Sequence, residues 1–100
     1  MSGKLIMTWN IDAEREQEYF EFVVREFLPA VQKMGFQLSD AWVTVYGEQP
    51  QILVGAILPS MRKVKAVLRT EAWLSLLNKL DDFVTDFQQK IVEYNGSFQF

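Results

Sequence analysis

Histidine and cysteine are both missing from this chain. Their absence removes the commonest general base, the thiol nucleophile, the disulfide staple and the side chains that dominate zinc and haem ligation. No second group of carboxylates converges at ligand spacing, so neither a metal site nor a cofactor is expected. An excess of positive charge is missing too. The formal net charge is −3, which gives no bulk attraction for nucleic acid or for an anionic membrane. The longest apolar runs, such as 53–59, fall far short of the roughly 20 residues of a membrane helix. Met1-Ser2-Gly3-Lys4 runs straight into a strand-like segment, without an apolar stretch and a small-residue cleavage site. With no cysteine to oxidise, a reducing compartment fits, and the cytosol is the expected location.

What is present is a globular composition: 49% hydrophobic, 23% charged, and 14% aromatic, which is rich. One domain over 1–100 is expected. Residues 4–11 read as a strand, with Leu5, Met7, Trp9 and Ile11 on one side and Ile6, Thr8 and Asn10 on the other. Asp12 offers a helix cap, with Glu14 and Glu16 in the first turn. Phe20, Val23, Val24, Phe27, Leu28, Val31 and Met34 then recur at helical spacing until Gly35 stops them. Pro29 inside this pattern removes a backbone bond to Arg25 and predicts a bend.

Residues 36–40 read as irregular, 41–46 as a second strand and 52–58 as a third, joined through a turn at 47–50 as an antiparallel hairpin. A short helix over 61–68 and a long one over 71–94 follow, with Thr70 as the cap between them. The buried stripe expected of the long helix is Trp73, Leu76, Leu77, Leu80, Phe83, Val84, Phe87, Ile91 and Tyr94, with Asp82, Asp86, Gln89 and Glu93 in water. Asn95-Gly96 ends it and 97–100 adds a last strand. The order strand, helix, strand, strand, helix, strand predicts an α+β, ferredoxin-like βαββαβ sandwich with a four-stranded antiparallel sheet and a split second helix.

The strands carry large apolar side chains on both faces, whereas the helices can cover only one. Ile11 leads directly into the first helix, so the helix-facing set is Leu5, Met7, Trp9, Ile11, Val43, Val45, Ile52 and Val54. That leaves Ile6, Thr8, Asn10, Trp42, Thr44, Tyr46, Leu53, Gly55 and Ile57 for the other face. Burying five large members of that set contributes on the order of 8–15 kcal/mol before the costs of association. A homodimer pairing sheet to sheet is therefore expected, with a pocket for a small hydrophobic or aromatic molecule between sheet and partner.

With Met7-Thr8-Trp9-Asn10-Ile11 leading into a helix, Glu71-Ala72-Trp73 in a split second helix and a short final strand, the chain resembles the dimeric α/β-barrel superfamily. That superfamily includes antibiotic-biosynthesis and other cofactor-free monooxygenases, haem-degrading enzymes, NIPSNAP-like proteins and stress-responsive proteins. The resemblance implies a ferredoxin-like subunit paired sheet to sheet as a dimeric α/β barrel. It sets Asn10 and Trp73 at places comparable to an Asn and a Trp of the oxygenase branches. Without histidine, haem binding as the haem-degrading members achieve it is not expected, which leaves cofactor-independent oxygen chemistry as the implied activity.

The candidate catalytic residues are Asn10, whose amide can stabilise a developing oxyanion, and Tyr46, which can donate a hydrogen bond. The candidate ligand-binding residues are Thr8, Asn10, Trp42, Thr44, Tyr46 and Trp73. Each also has a structural role open to it. Asn10 can bond a turn backbone, Trp42 and Tyr46 can pack an interface, and Trp73 is in phase with a core stripe. Arg62, Lys63, Lys65 and Arg69 can hold an anion at the pocket mouth or form a solvated helix face. Three functions stay open: a small-molecule-binding homodimer, a cofactor-independent monooxygenase on an aromatic substrate, and a structural dimerisation module without ligand.

Overall fold

Ser2–Ile11 form strand β1, and its burial alternates residue by residue. Leu5, Met7 and Trp9 are completely buried, while Ile6, Thr8 and Asn10 are half-buried on the other side. The computed structural model describes residues 2–43 and 52–94, with side chains for 2–39 and 52–94. Thr44, Tyr46, the turn at 47–50 and the strand expected at 97–100 lie outside the described residues.

Asp12 caps the next segment as expected, its carboxylate accepting the Glu14 N–H at 3.0 Å. A short 3-10 turn, Ala13–Arg15, opens into α1, Glu16–Phe22. One π-helical turn, Val23–Phe27, then leads into α2, Leu28–Lys33. That wide turn is how the chain accommodates Pro29, which has no N–H and whose ring crowds the carbonyl of Arg25. The Leu28 N–H donates instead to Val23, five residues back. Gly35, at a φ of +100°, terminates the helix in the left-handed conformation that glycine alone adopts without penalty.

Strand β2 is Gln37–Val43 and β3 is Ile52–Leu58. The former begins four residues before the expected start at 41, so the segment read as irregular is strand. Helix α3, Met61–Leu68, is capped by Ser60, and α4, Glu71–Asp81, by Thr70, whose hydroxyl accepts the Trp73 N–H at 3.2 Å. The expected long helix over 71–94 is corrected: it stops at Asp81, and β4, Val84–Tyr94, takes the remainder.

A bulge explains the misreading. Thr8 pairs with Gln88 but Asn10 pairs with Thr85, so β4 holds one residue more than β1 over this stretch. Asp86 sits there at a φ of 56°, a left-handed conformation that Asp tolerates better than most residues. The extra residue sets Val84 and Phe87 three apart on one face, and Phe87 and Ile91 follow at four, an interval that also suits a strand. Spacings of three and four are what a helix shows.

The strands form one antiparallel sheet in the order β2-β3-β1-β4. This is the expected α+β, ferredoxin-like βαββαβ architecture with its second helix split in two. Leu5, Met7 and Trp9 lie opposite Ala56, Val54 and Ile52, and the helices cover this face. Gly3 marks where α3 comes nearest: a Cβ there would lie 2.7 Å from the Val64 side chain and 3.0 Å from the Met61 backbone. Phe27, Val31, Trp73 and Leu80 close the core from above, each large side chain contributing about 1.5–3 kcal/mol through its burial.

Candidate functional site

The face of the sheet turned away from the helices carries the expected site. The register sets Ile6 against Gly55, Thr8 against Leu53 and Lys4 against Ile57 across β1 and β3. Ile6, Leu53 and Ile57 are half-exposed there, forming an apolar band around the buried Gly55. Among the described residues no helix reaches this face, because the alternation that drives Leu5, Met7 and Trp9 inward points Ile6 and Thr8 outward.

The β4 side of this face is polar, which the expected two-sided apolar sheet did not include. Lys90 lies opposite Ile6, and Gln88 opposite Thr8. Ile6, Thr8, Gln88, Gln89 and Lys90 line a depression of about 200 Å³. One turn of strand further on, Asn10 donates through its side-chain amide to the Asp86 carboxylate at 3.1 Å. The bulge makes that contact, since it brings Asp86 out of the ladder beside β1. Asp86 was expected on the wet side of a helix; in β4 its carboxylate accepts from Asn10.

The sheet divides the candidate residues between two sides. Thr8 and Asn10 lie on the open face. Trp42 is set opposite Leu53 by the β2–β3 register, although its side chain lies outside the described residues. Trp73 is on α4, completely buried on the helix side, with its ring 6.1 Å from that of Phe36. Among the described residues its indole N–H has no hydrogen-bond partner. The basic residues of α3 are also on the helix side of the sheet, where Arg62, Lys65, Ala66 and Arg69 border a hollow of about 370 Å³. A single site cannot contain both Asn10 and Trp73.

The pair that sequence reasoning missed is Trp9 and Tyr19. The Trp9 indole donates to the Tyr19 hydroxyl at 2.8 Å inside the core. Trp9 also stacks on Phe87 at 6.0 Å and meets Phe27 edge-on at 5.7 Å. Burial raises the Tyr19 pKa above the usual tyrosine value, against the Trp9 hydrogen bond, which lowers it. Tyr19 falls four residues before Val23 on the helical stripe, and that spacing was the available signal.

Another hollow, of about 390 Å³, lies between α1 and the turn into β4 and is lined mostly by charged side chains. Three of its six charged lining residues are in ion pairs: Glu18 with Arg15 at 2.9 Å, and Glu26 with Lys79 at 3.4 Å. The Arg15 hydrogen bond and charge hold the Glu18 carboxyl below its ordinary pKa. Such exposed pairs are those of an ordinary solvated surface. Among the described residues no group of three His, Cys, Asp or Glu is placed to hold a metal ion, and no helix is long and apolar enough to cross a membrane.

Strand order, helix placement and the open sheet face together define a ferredoxin-like α+β fold. Comparison with solved structures agrees. A NIPSNAP family protein from Agrobacterium tumefaciens strain C58 superimposes with a TM-score of 0.69 at 15% identity, over 96% of this chain and 95% of that one. A dimeric protein of unknown function and ferredoxin-like fold from Bacteroides fragilis gives 0.65 at 13% identity, over 93% and 96%. A candidate antibiotic biosynthesis monooxygenase from Nitrosomonas europaea gives 0.65 at 13%, over 98% and 92%. No family model and no curated protein matches the sequence. At these identities the likeness is one of fold.

Proposed function

We propose that the protein is a small cytosolic homodimer that pairs through the open faces of two sheets and binds a hydrophobic or aromatic small molecule between sheet and partner. The observation that carries this reading is the half-exposed band of Ile6, Leu53 and Ile57 on the central strands, beside the depression lined by Ile6 and Thr8. Apolar side chains gathered at the middle of a sheet, rather than scattered, favour burial by a second surface. A depression of about 200 Å³ is small for a ligand site, and a facing copy would roof and enlarge it. The dimeric Bacteroides fragilis protein of the same fold supports this assembly.

Sedimentation and native mass spectrometry test it. The expected result is twice the 11.7 kDa chain mass, with a retained ligand in gently purified material, and dissociation to single chains in the double variant Leu53→Asp/Ile57→Asp. A stable single chain at high concentration would falsify the dimer and the pocket together. Two bare chains in every preparation would favour the structural module instead.

A second reading is cofactor-independent monooxygenation of an electron-rich aromatic substrate, with Asn10 and Tyr46 orienting it. Its support is the position of Asn10 on the same face as the depression, with its amide steadied by Asp86. Oxygen uptake with aromatic hydroquinones that disappears in Asn10→Ala and Tyr46→Phe is the expected outcome. No uptake across a broad panel would sink it.

A further inference from the structure

We infer that the ligand of this face is an anion: an amphipathic molecule whose apolar body lies on Ile6 and Leu53 and whose carboxylate, or a like group, meets Lys90. The inference rests on the pocket reading above and narrows it. The depression is lined by Ile6, Thr8, Gln88, Gln89 and Lys90, so its lining includes a hydroxyl, two amides and an ammonium but no carboxylate. Lys90 sits directly across the ladder from Ile6, which places the positive charge beside the apolar floor.

Among the described residues Lys90 has no ion-pair or hydrogen-bond partner. Asp86, on the same strand, is occupied by Asn10. Lys4 adds a second cation to the face, over the ring of Tyr94 at 5.4 Å. Exposed to water, a lone lysine needs no explanation. Roofed by a second copy it does, because a desolvated ammonium without a counter-charge is strongly unfavourable. An anionic guest removes that difficulty and gains charge-assisted hydrogen bonds.

The test uses two probes of one shape, 2-naphthoate and 2-naphthamide, titrated by fluorescence into the full chain and into Lys90→Met and Lys90→Arg. The acid should bind the full chain at least about ten-fold tighter than the amide, the ratio that one charge-assisted hydrogen bond supplies. In Lys90→Met the preference should vanish with the amide unchanged, and in Lys90→Arg it should survive. Equal binding of the two probes, or a preference that outlasts Lys90→Met, overturns the inference and leaves the pocket standing. Binding of neither overturns both. Sedimentation of Lys90→Met and Asp40→Asn supplies a separate check, since Asp40 occupies the register position opposite Gly55. Equal weakening of the dimer by both variants would assign Lys90 to a carboxylate of the facing copy, and the inference would fall.

Discussion

The two faces of one sheet behave as two different materials. On the helix side Leu5, Met7 and Trp9 are wholly enclosed, among buried neighbours such as Phe27, Val31 and Leu80. On the other side Ile6, Thr8 and Asn10, one position along in each case, are half in water and border a depression. Adjacent residues on a strand therefore serve separate ends: stability on one side and, on the function proposed above, recognition on the other. The period of two in β1 is what keeps them apart.

The sharpest way to break this comparison is to truncate neighbours. Trp9→Ala should cost about 3–5 kcal/mol in urea unfolding, whereas Thr8→Ala should stay within about 0.5 kcal/mol in a monomeric background. Similar losses at both positions would mean the open face is part of the core. Gly3→Ala probes the tightest helix-side contact. With a Cβ only 2.7 Å from Val64, about 1–3 kcal/mol of overpacking is expected, read as a lower urea midpoint at unchanged m-value.

A finer comparison lies within the helix side, between its two buried tryptophans. Trp9→Phe strips the Tyr19 hydroxyl of its donor, while Trp73→Phe removes an N–H that lacks a partner among the described residues. The former should be the more damaging by about 1–2 kcal/mol, and a reversed order would show that packing volume outweighs hydrogen bonding here. The smallest effect is on pH. Burial favours the neutral Tyr19 phenol and raises its folded pKa above the usual 10.0. The stability this contributes is complete below the unfolded value and is lost as pH rises through the folded one. The melting temperature should fall on the alkaline side of about pH 10, less steeply in Tyr19→Phe.

How far the fold was legible differs between central and edge strands. β1 and β3 were read from alternation alone, with their helix-facing residues Leu5, Met7, Trp9, Ile52 and Val54 correctly assigned, because neither is interrupted. β2 and β4 are the edges, and each holds an extra residue: Leu38 and Asp40 pair with the adjacent Ala56 and Gly55, as Asn10 and Thr8 pair with Thr85 and Gln88. One inserted residue resets the phase of the pattern. It turned Val84, Phe87 and Ile91 into an apparent helical stripe and made Gln37 to Ser39 look irregular. The candidate site suffered from the same cause. Thr8 and Asn10, on an uninterrupted strand, fell on the expected face, while Gln88 and Lys90 could not be assigned to it until β4 was known to be a strand. Trp73 was grouped with Asn10 by resemblance, and only the sheet between them shows their separation.

Bulged borders also bear on how copies of this chain can meet. An unblemished outer strand offers a ruled row of free amides and carbonyls on which another molecule can continue the ladder, the first step toward open-ended fibres. Here each rim is notched, at Ser39 on one side and at Asp86 on the other, so a newcomer finds the rungs out of step. Sideways growth by strand addition is therefore discouraged at both rims.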